Sequence, residues 1–135
     1  MQLADAMIVA ASGINAQGER LRVIAENIAN ADSTGNVPGQ DPYRRQLVTF
    51  QNVLDHEMGI EKVEIVGRSY DTSDFGTRYL PGHPMADEQG YVKTPNVETI
   101  LEMVDMREAR RGYEANLGVV EVTRAMLQQT MELLR

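Results

Sequence analysis

The stretch LRVIAENIANADSTG, residues 21–35, decides the fold, because a helical pattern of apolar residues ends within it and turn-forming residues follow. Leu21, Ile24 and Ile28 are spaced three and four residues apart. The same spacing continues upstream through Leu3, Met7, Ala10, Ile14 and Gln17. This heptad seam predicts a single helix over residues 2 to about 30. Gly13 and Gly18 inside it mark either tolerated weak positions or points of close backbone approach.

A second long helix is predicted from Asn96, which follows a proline and is a candidate N-cap, to the end of the sequence. One seam of this helix comprises Met103, Met106, Arg110, Tyr113, Leu117, Val120, Arg124, Leu127, Met131 and Leu134. A second, less regular seam comprises Leu101, Val104, Glu108, Ala115, Val122, Met126 and Leu133. Two seams on one helix indicate contact with more than one neighbouring helix.

The predicted fold class is mainly α with a small β-rich insertion, in which the long N- and C-terminal helices pair as an antiparallel coiled coil. Residues 1–31 and 96–135 are predicted to form one discontinuous helical core domain. Residues 32–95 are predicted to form loops and short strands, with strands in 43–50, 60–70 and 77–80. This insertion contains too few large apolar residues to form a stable domain alone.

The second seam of the C-terminal helix has no partner within this scheme. A soluble monomer rarely exposes an apolar stripe of that length, so helices of other chains are expected to cover it. The alternative is a simple antiparallel homodimer, as in a generic helical coiled-coil adaptor.

The composition excludes several classes of function. The formal net charge of −7 argues against nucleic acid and anionic membranes as main partners. The sequence has no cysteine, so it can form no disulfide and no cysteine-based metal site. We expect no transmembrane segment, since no run of about 18 apolar residues occurs. We also expect no cleaved signal peptide, because no basic residue precedes Arg20.

No motif for catalysis or cofactor binding is present. His56 and His83 are the only histidines; His83 lies near Asp87 and Glu88, but the spacing of a typical metal site is missing. Phosphate-binding glycine loops and a nucleophile elbow are also missing. We therefore expect no enzyme activity, no metal, no cofactor and no small-molecule substrate. A small hydrolase in the insertion is a third interpretation that no motif supports.

Four separated stretches resemble a known family. SGINAQGERLRVIAENIANADSTG (12–35) resembles the N-terminal motif of the flagellar axial proteins, which form the rod, hook and hook-associated structures. DPYRRQLVTF (41–50), GYVKTPNV (90–97) and EMVDMREARRGYEANLGVV (102–120) are similar to the basal-body rod members of this family. The sequence departs from the family pattern at Asn36, where an aromatic residue is common, and at Arg107, where a bulky apolar residue is expected.

The resemblance implies a structural subunit of the proximal rod in the bacterial flagellar basal body. Proteins of this family pair their terminal helices as an antiparallel coiled coil that lines a hollow tube. Expected partners are further copies of the same protein and other rod proteins, the type III export apparatus during secretion, and, indirectly, the membrane ring at the base. The protein would be exported unfolded without a cleaved signal and would assemble in the periplasm.

The expected interface consists of helix-packing residues. In the first helix they are Leu3, Met7, Ile14, Leu21, Ile24, Asn27, Ile28 and Asn30. In the last helix they are Met103, Met106, Tyr113, Asn116, Leu117, Val120, Leu127, Met131 and Leu134. Asn27 and Asn30 are also expected to end the first helix, since asparagine tolerates the left-handed conformation found there.

Overall fold

The computed structural model describes residues 3–135. The elements in chain order are α1 (Leu3–Ala29), β1 (Gln46–Asp55), β2 (Ile60–Tyr70), β3 (Gly76–Tyr79), β4 (Tyr91–Thr94) and α2 (Thr99–Leu133). A mainly helical chain with a small β part is thereby confirmed. The predictions for residues 1 and 2 lie outside the described residues.

The helix ends follow the predictions in part. α1 ends at Ala29, and the Asn30 side chain donates a hydrogen bond of 2.8 Å to the carbonyl of Glu26, as expected of a helix-ending residue. Asn27, in contrast, lies inside α1. α2 begins at Thr99, so the predicted N-cap at Asn96 is wrong. The Asn96 side chain is instead committed to hydrogen bonds with other parts of the chain.

The strands form two sheets of two strands each, β1 with β2 and β3 with β4. In the second sheet Gly76 pairs with Thr94 and Tyr79 with Tyr91, antiparallel, and the two tyrosine rings are tilted with centroids 5.2 Å apart. All three predicted strands exist, although β1 continues beyond its predicted end. The strand β4, with four residues like β3, was not predicted.

The chain divides into two compact units. Unit 1 comprises the chain up to Leu21 together with 48–67 and 107–135, and unit 2 comprises 22–47 and 68–106. The buried residues of unit 1 are small: Ala10, Ala16, Ala109 and Thr123. Those of unit 2 include Val23, Ile24, Asn27, Val92 and Glu102.

Within unit 1, α1 and α2 contact each other in antiparallel order. Arg20 forms an ion pair of 3.4 Å with Glu108. Gly112 faces the Gln17 side chain, and Gly13 faces the Asn116 side chain. A Cβ atom at position 13 would lie 2.6 Å from the Asn116 Nδ2 atom, closer than real contacts allow. Gly13 is therefore a point of close approach, whereas a Cβ atom at position 18 would meet nothing within 4 Å.

Candidate assembly surface and buried polar cluster

Unit 2 contains a buried polar cluster centred on Asn27, whose side chain is 1% exposed. Its Nδ2 group donates to the Gln46 carbonyl at 2.9 Å and to the Glu102 carboxylate at 3.1 Å. Its Oδ1 atom accepts hydrogen bonds from the Tyr43 hydroxyl at 2.8 Å and from the Gln46 backbone N–H at 2.9 Å. Both donors and both acceptor positions of the amide are used, so its burial leaves no unsatisfied group.

The Glu102 carboxylate, also 1% exposed, is held from its other side by Arg45. The Arg45 Nε–H donates to the Glu102 Oε1 atom, and the guanidinium also reaches Asp71 at 3.3 Å and Asp105 at 3.5 Å. A buried carboxylate is tolerated only when it is paired and hydrogen-bonded. Asn27 and Arg45 together meet that requirement for Glu102.

The charges in this cluster shift the pKa values of its members. Burial alone lowers the pKa of Arg45, but the hydrogen bond and charge of Glu102, followed by those of Asp71, outweigh it and raise that pKa. Hydrogen bonds from Ser73, and then the ion pair with Arg45, lower the pKa of Asp71. Desolvation raises the pKa of Tyr43, and the nearby carboxylates add to that effect. Each shift favours the form that the hydrogen bonds require.

Asn96 joins the segment before α2 to this cluster. Its Oδ1 atom accepts a 2.7 Å hydrogen bond from the Arg45 backbone N–H, and its Nδ2 group donates to the Asp71 carbonyl at 3.1 Å. Asn27, Arg45, Asn96 and Glu102 come from the four separate motifs quoted above. The motifs therefore meet in one hydrogen-bonded cluster, which holds the start of α2 against the end of α1 within unit 2.

Of these four, only Asn27 was a candidate interface residue from the sequence, and Asn96 was expected only as a helix N-cap. Arg45, Asn96 and Glu102 were missed because the helix seams were selected on apolar residues. The sequence feature that could have identified Glu102 is its position seven residues before Ala109, because that spacing places both residues on one face of the helix.

The predicted interface residues differ in exposure. Ile24 and Asn27 are buried. The intermediate group comprises Leu3, Met7, Ile14, Leu21, Ile28, Asn30, Met106, Tyr113, Asn116, Val120 and Leu127. The exposed group comprises Met103, Leu117, Met131 and Leu134.

The strongest surface feature of unit 1 is an apolar face of α2, here called the outer stripe, formed by Ala115, Val119, Val122, Met126 and Leu133. Steps of four, three, four and seven residues keep these side chains on one face of the helix. Val122 is 55% exposed and Leu133 is 82% exposed. In unit 2 the first turns of α2 expose Ile100, Leu101 and Val104 in the same way. Contiguous apolar surface of this kind marks a site of protein association.

The other sites considered from the sequence, a metal site at His83 and a membrane-spanning segment, have no comparable structural feature. The His83 Nδ1 atom accepts a local hydrogen bond of 3.1 Å from the Met85 backbone N–H. Within residues 3–135, no group of three or more potential ligands is arranged to hold a metal ion. Neither described helix has a segment both long and apolar enough to cross a membrane.

Comparison with known proteins gives two family matches and several close relatives. The family described as flagella basal body rod protein matches residues 7–36, and the flagellar basal body rod FlgEFG protein C-terminal family matches residues 88–133. A flagellar basal-body rod protein FlgC from Agrobacterium fabrum is 50% identical over 133 residues, covering 98% of this chain and 96% of the relative.

More distant relatives carry the same description. FlgC from Salmonella typhimurium is 38% identical, covering 98% of both chains. FlgC from Borreliella burgdorferi is 35% identical, covering 100% of this chain and 99% of the relative. The matched length in each case spans both the polar cluster and the outer stripe. The chain therefore belongs to the FlgC family of flagellar basal-body rod proteins, and it is a structural subunit of the rod in the flagellar basal body.

Proposed function

We propose that the subunits polymerise by packing of their terminal helices into the wall of a hollow helical rod. Such a rod transmits torque as a drive shaft and conducts exported subunits through its channel. The observation that supports this proposal is the outer stripe, which exposes four large apolar side chains and has no partner within the described chain. Burying such a stripe between subunits gives a favourable free energy of association.

The proposed roles of the different parts of the chain follow the predicted domains. Residues 1–31 and 96–135 form the helical core of the tube as an antiparallel coiled coil, and residues 32–95 lie outside it. The buried and half-buried interface residues pack within a subunit, whereas Met103, Leu117, Met131 and Leu134 contact neighbouring subunits. Their present exposure supports this assignment, since apolar side chains gain most from being covered on assembly.

Export and location are part of the same proposal. The chain passes unfolded through the flagellar type III apparatus, and it assembles with other rod proteins in the periplasm above the membrane ring. The C-terminal turns of α2 support only the last of these steps, assembly with neighbours. Residues 128–135 are exposed on every side in the single chain, as expected of a segment that is completed by neighbours.

The test is a charge placed in the outer stripe. Val122→Asp should leave the secreted subunit folded, because Val122 is already 55% exposed, but should prevent rod formation. The matched control is Gln128→Asp, which adds the same charge at an exposed position outside the stripe. Rods are counted in basal bodies purified from cells that carry only the variant. Normal rods with Val122→Asp would contradict the proposal. In a separate sedimentation experiment, a stable dimer of the wild-type chain would favour the adaptor alternative.

A further inference from the structure

Unit 1 contains an open groove of about 530 Å³ between α1 and β2, here called the outer groove. Ile8, Ala11 and Asn15 form its helical wall, and Val63 and Ile65 belong to its strand wall. Because the α1 wall is built largely from small side chains, the groove has room for larger side chains from outside.

The two walls of the groove are tied together by a serine. The Val63 backbone N–H donates a hydrogen bond of 3.2 Å to the Ser12 hydroxyl oxygen, and that hydroxyl donates to the Val9 carbonyl at 2.7 Å. These bonds join β2 to the first half of α1. The groove is therefore a formed feature of unit 1, ready to receive a partner without rearrangement.

The first heptad of the outer stripe matches this groove in length. Ala115 and Val122 are one heptad apart, which is roughly 10 Å along a helix. Ile8 and Asn15, at the two ends of the helical wall, are also one heptad apart. In such a contact Val119 and Val122 of one copy would meet the small side chain of Ala11 in the other, an arrangement that lets two helical surfaces interdigitate.

The two surfaces offer one pair of opposite charges, since the cation that lines the groove, Lys62, is paired with Asp55 at 2.6 Å. Glu64 lines the groove, is exposed, and has no salt bridge within residues 3–135. Arg111 lies one turn before Ala115 at the edge of the outer stripe, is exposed, and likewise has no salt bridge in the described chain. An opposite charge brought beside each of them from another molecule would steer association and fix its register.

We propose that the outer stripe of one copy packs into the outer groove of a second copy, with Arg111 of the first beside Glu64 of the second. This inference rests on the proposed polymerisation and names the two surfaces that meet. Because the two surfaces differ, the contact can repeat head-to-tail, whereas a reciprocal two-fold pair would use both surfaces of both copies and stop at two copies. Repetition of such a contact generates a ring or a helical array, which is the geometry of a tube wall.

Charge reversal tests the pairing. Glu64→Arg and Arg111→Glu should each reduce the number of rod-bearing basal bodies by about tenfold, since like charges then meet at the contact. The double variant should restore rods, because the pair is re-formed with its charges exchanged. Normal rods in both single variants, or failure of the double variant to recover, would overturn the proposal; in the latter case the stripe would contact a different rod protein.

Cysteine cross-linking provides an independent measurement. The chain has no cysteine, so a pair introduced as Glu64→Cys and Arg111→Cys has no competing thiol. Because the Cα atoms of a Glu–Arg ion pair lie too far apart for a disulfide, assembled basal bodies are treated with a short bis-maleimide, which should then give a ladder of covalent multimers. The control pair, Glu64→Cys with Arg110→Cys, should give none, because Arg110 follows a different face of α2 and pairs with Glu114. Absence of a ladder from the first pair would contradict the contact.

The two proposals fail in different ways. If Val122→Asp prevents rod formation but neither charge reversal nor cross-linking has an effect, the polymerisation stands and the groove is not its receiving surface. If Val122→Asp assembles normally, both proposals are wrong.

Discussion

The Asn27 side chain of α1 donates a hydrogen bond of 3.1 Å to the Glu102 carboxylate of α2, and both side chains are 1% exposed. The link joins the end of the first helix to the start of the last, across most of the sequence. It belongs to unit 2, where it also fixes β1 through Gln46.

Asn27→Ala is therefore expected to be strongly destabilising. It removes the partners of the Tyr43 hydroxyl, of the Gln46 backbone groups and of one Glu102 oxygen. A buried polar group left unsatisfied costs about 1–3 kcal/mol, so we expect a loss of at least about 2 kcal/mol in the free energy of unfolding. Urea denaturation followed by circular dichroism measures it.

The control for this prediction is Asn15→Ala. Asn15 lies on the same helix, is exposed, and forms no side-chain hydrogen bond within the described chain. Its replacement should change the free energy of unfolding by less than about 0.7 kcal/mol, and in the stabilising direction, because alanine has the higher helix propensity. Equal effects of the two substitutions would mean that the cluster does not stabilise the fold.

Two glycines of α1 should respond differently to the same substitution. Gly13→Ala would place a methyl group 2.6 Å from the Asn116 Nδ2 atom, so the amide must move and give up its 3.0 Å hydrogen bond to the Gly112 carbonyl, a loss of about 0.5–1.5 kcal/mol that offsets the gain in helix propensity. Gly18→Ala meets nothing within 4 Å and should gain up to about 1 kcal/mol from helix propensity. Thermal unfolding of the two variants measures the difference.

Relief of the contact provides the check on this second prediction. Shortening the opposing side chain with Asn116→Ala should remove the loss that the contact causes in Gly13→Ala, so that the two effects are not additive. Additive effects would show that Gly13 is needed for a reason other than the approach of α2.

The pH dependence of stability should reflect Asp71. Ser73 and Arg45 lower its pKa in the folded chain below the ordinary value of 3.8. A carboxyl group with a lowered folded pKa contributes stability that is fully present above the unfolded pKa and is lost as the pH falls through the folded pKa. We therefore expect Asp71→Asn to be less stable than the wild type at neutral pH.

The difference between these two proteins should shrink as the pH is lowered beyond 3.8. Urea titrations over that range measure it, with Asp74→Asn as a control at a neighbouring, exposed carboxylate that makes no salt bridge among residues 3–135. A difference that is independent of pH would mean that the charge of Asp71 is not what stabilises unit 2.

The sequence pattern predicted the two helices and the strands β1, β2 and β3, because periodicity is a local property that survives in the fold. It was less informative about which face of α2 is buried. The most buried residues of that helix, Glu102, Ala109 and Thr123, are charged, small or polar, and they are spaced by multiples of seven. A seam selected for large apolar residues misses them, since their burial depends on partners from distant segments, such as Arg45 for Glu102.

Hydrogen exchange should separate α2 into two parts in the isolated subunit. Amides near Ala109, which is 0% exposed, should be protected, whereas those from 128 to the end of α2 should exchange fast, because that segment has no packed face and Leu133 is 82% exposed. In purified basal bodies the amides of both parts of α2 should exchange at similarly slow rates, since neighbouring subunits then cover the outer stripe. Strong protection of the last turns in the isolated chain would instead indicate that they find a partner without the rod, as a self-contained homodimer requires. Mass-resolved exchange at several protein concentrations would reveal such a dimer directly.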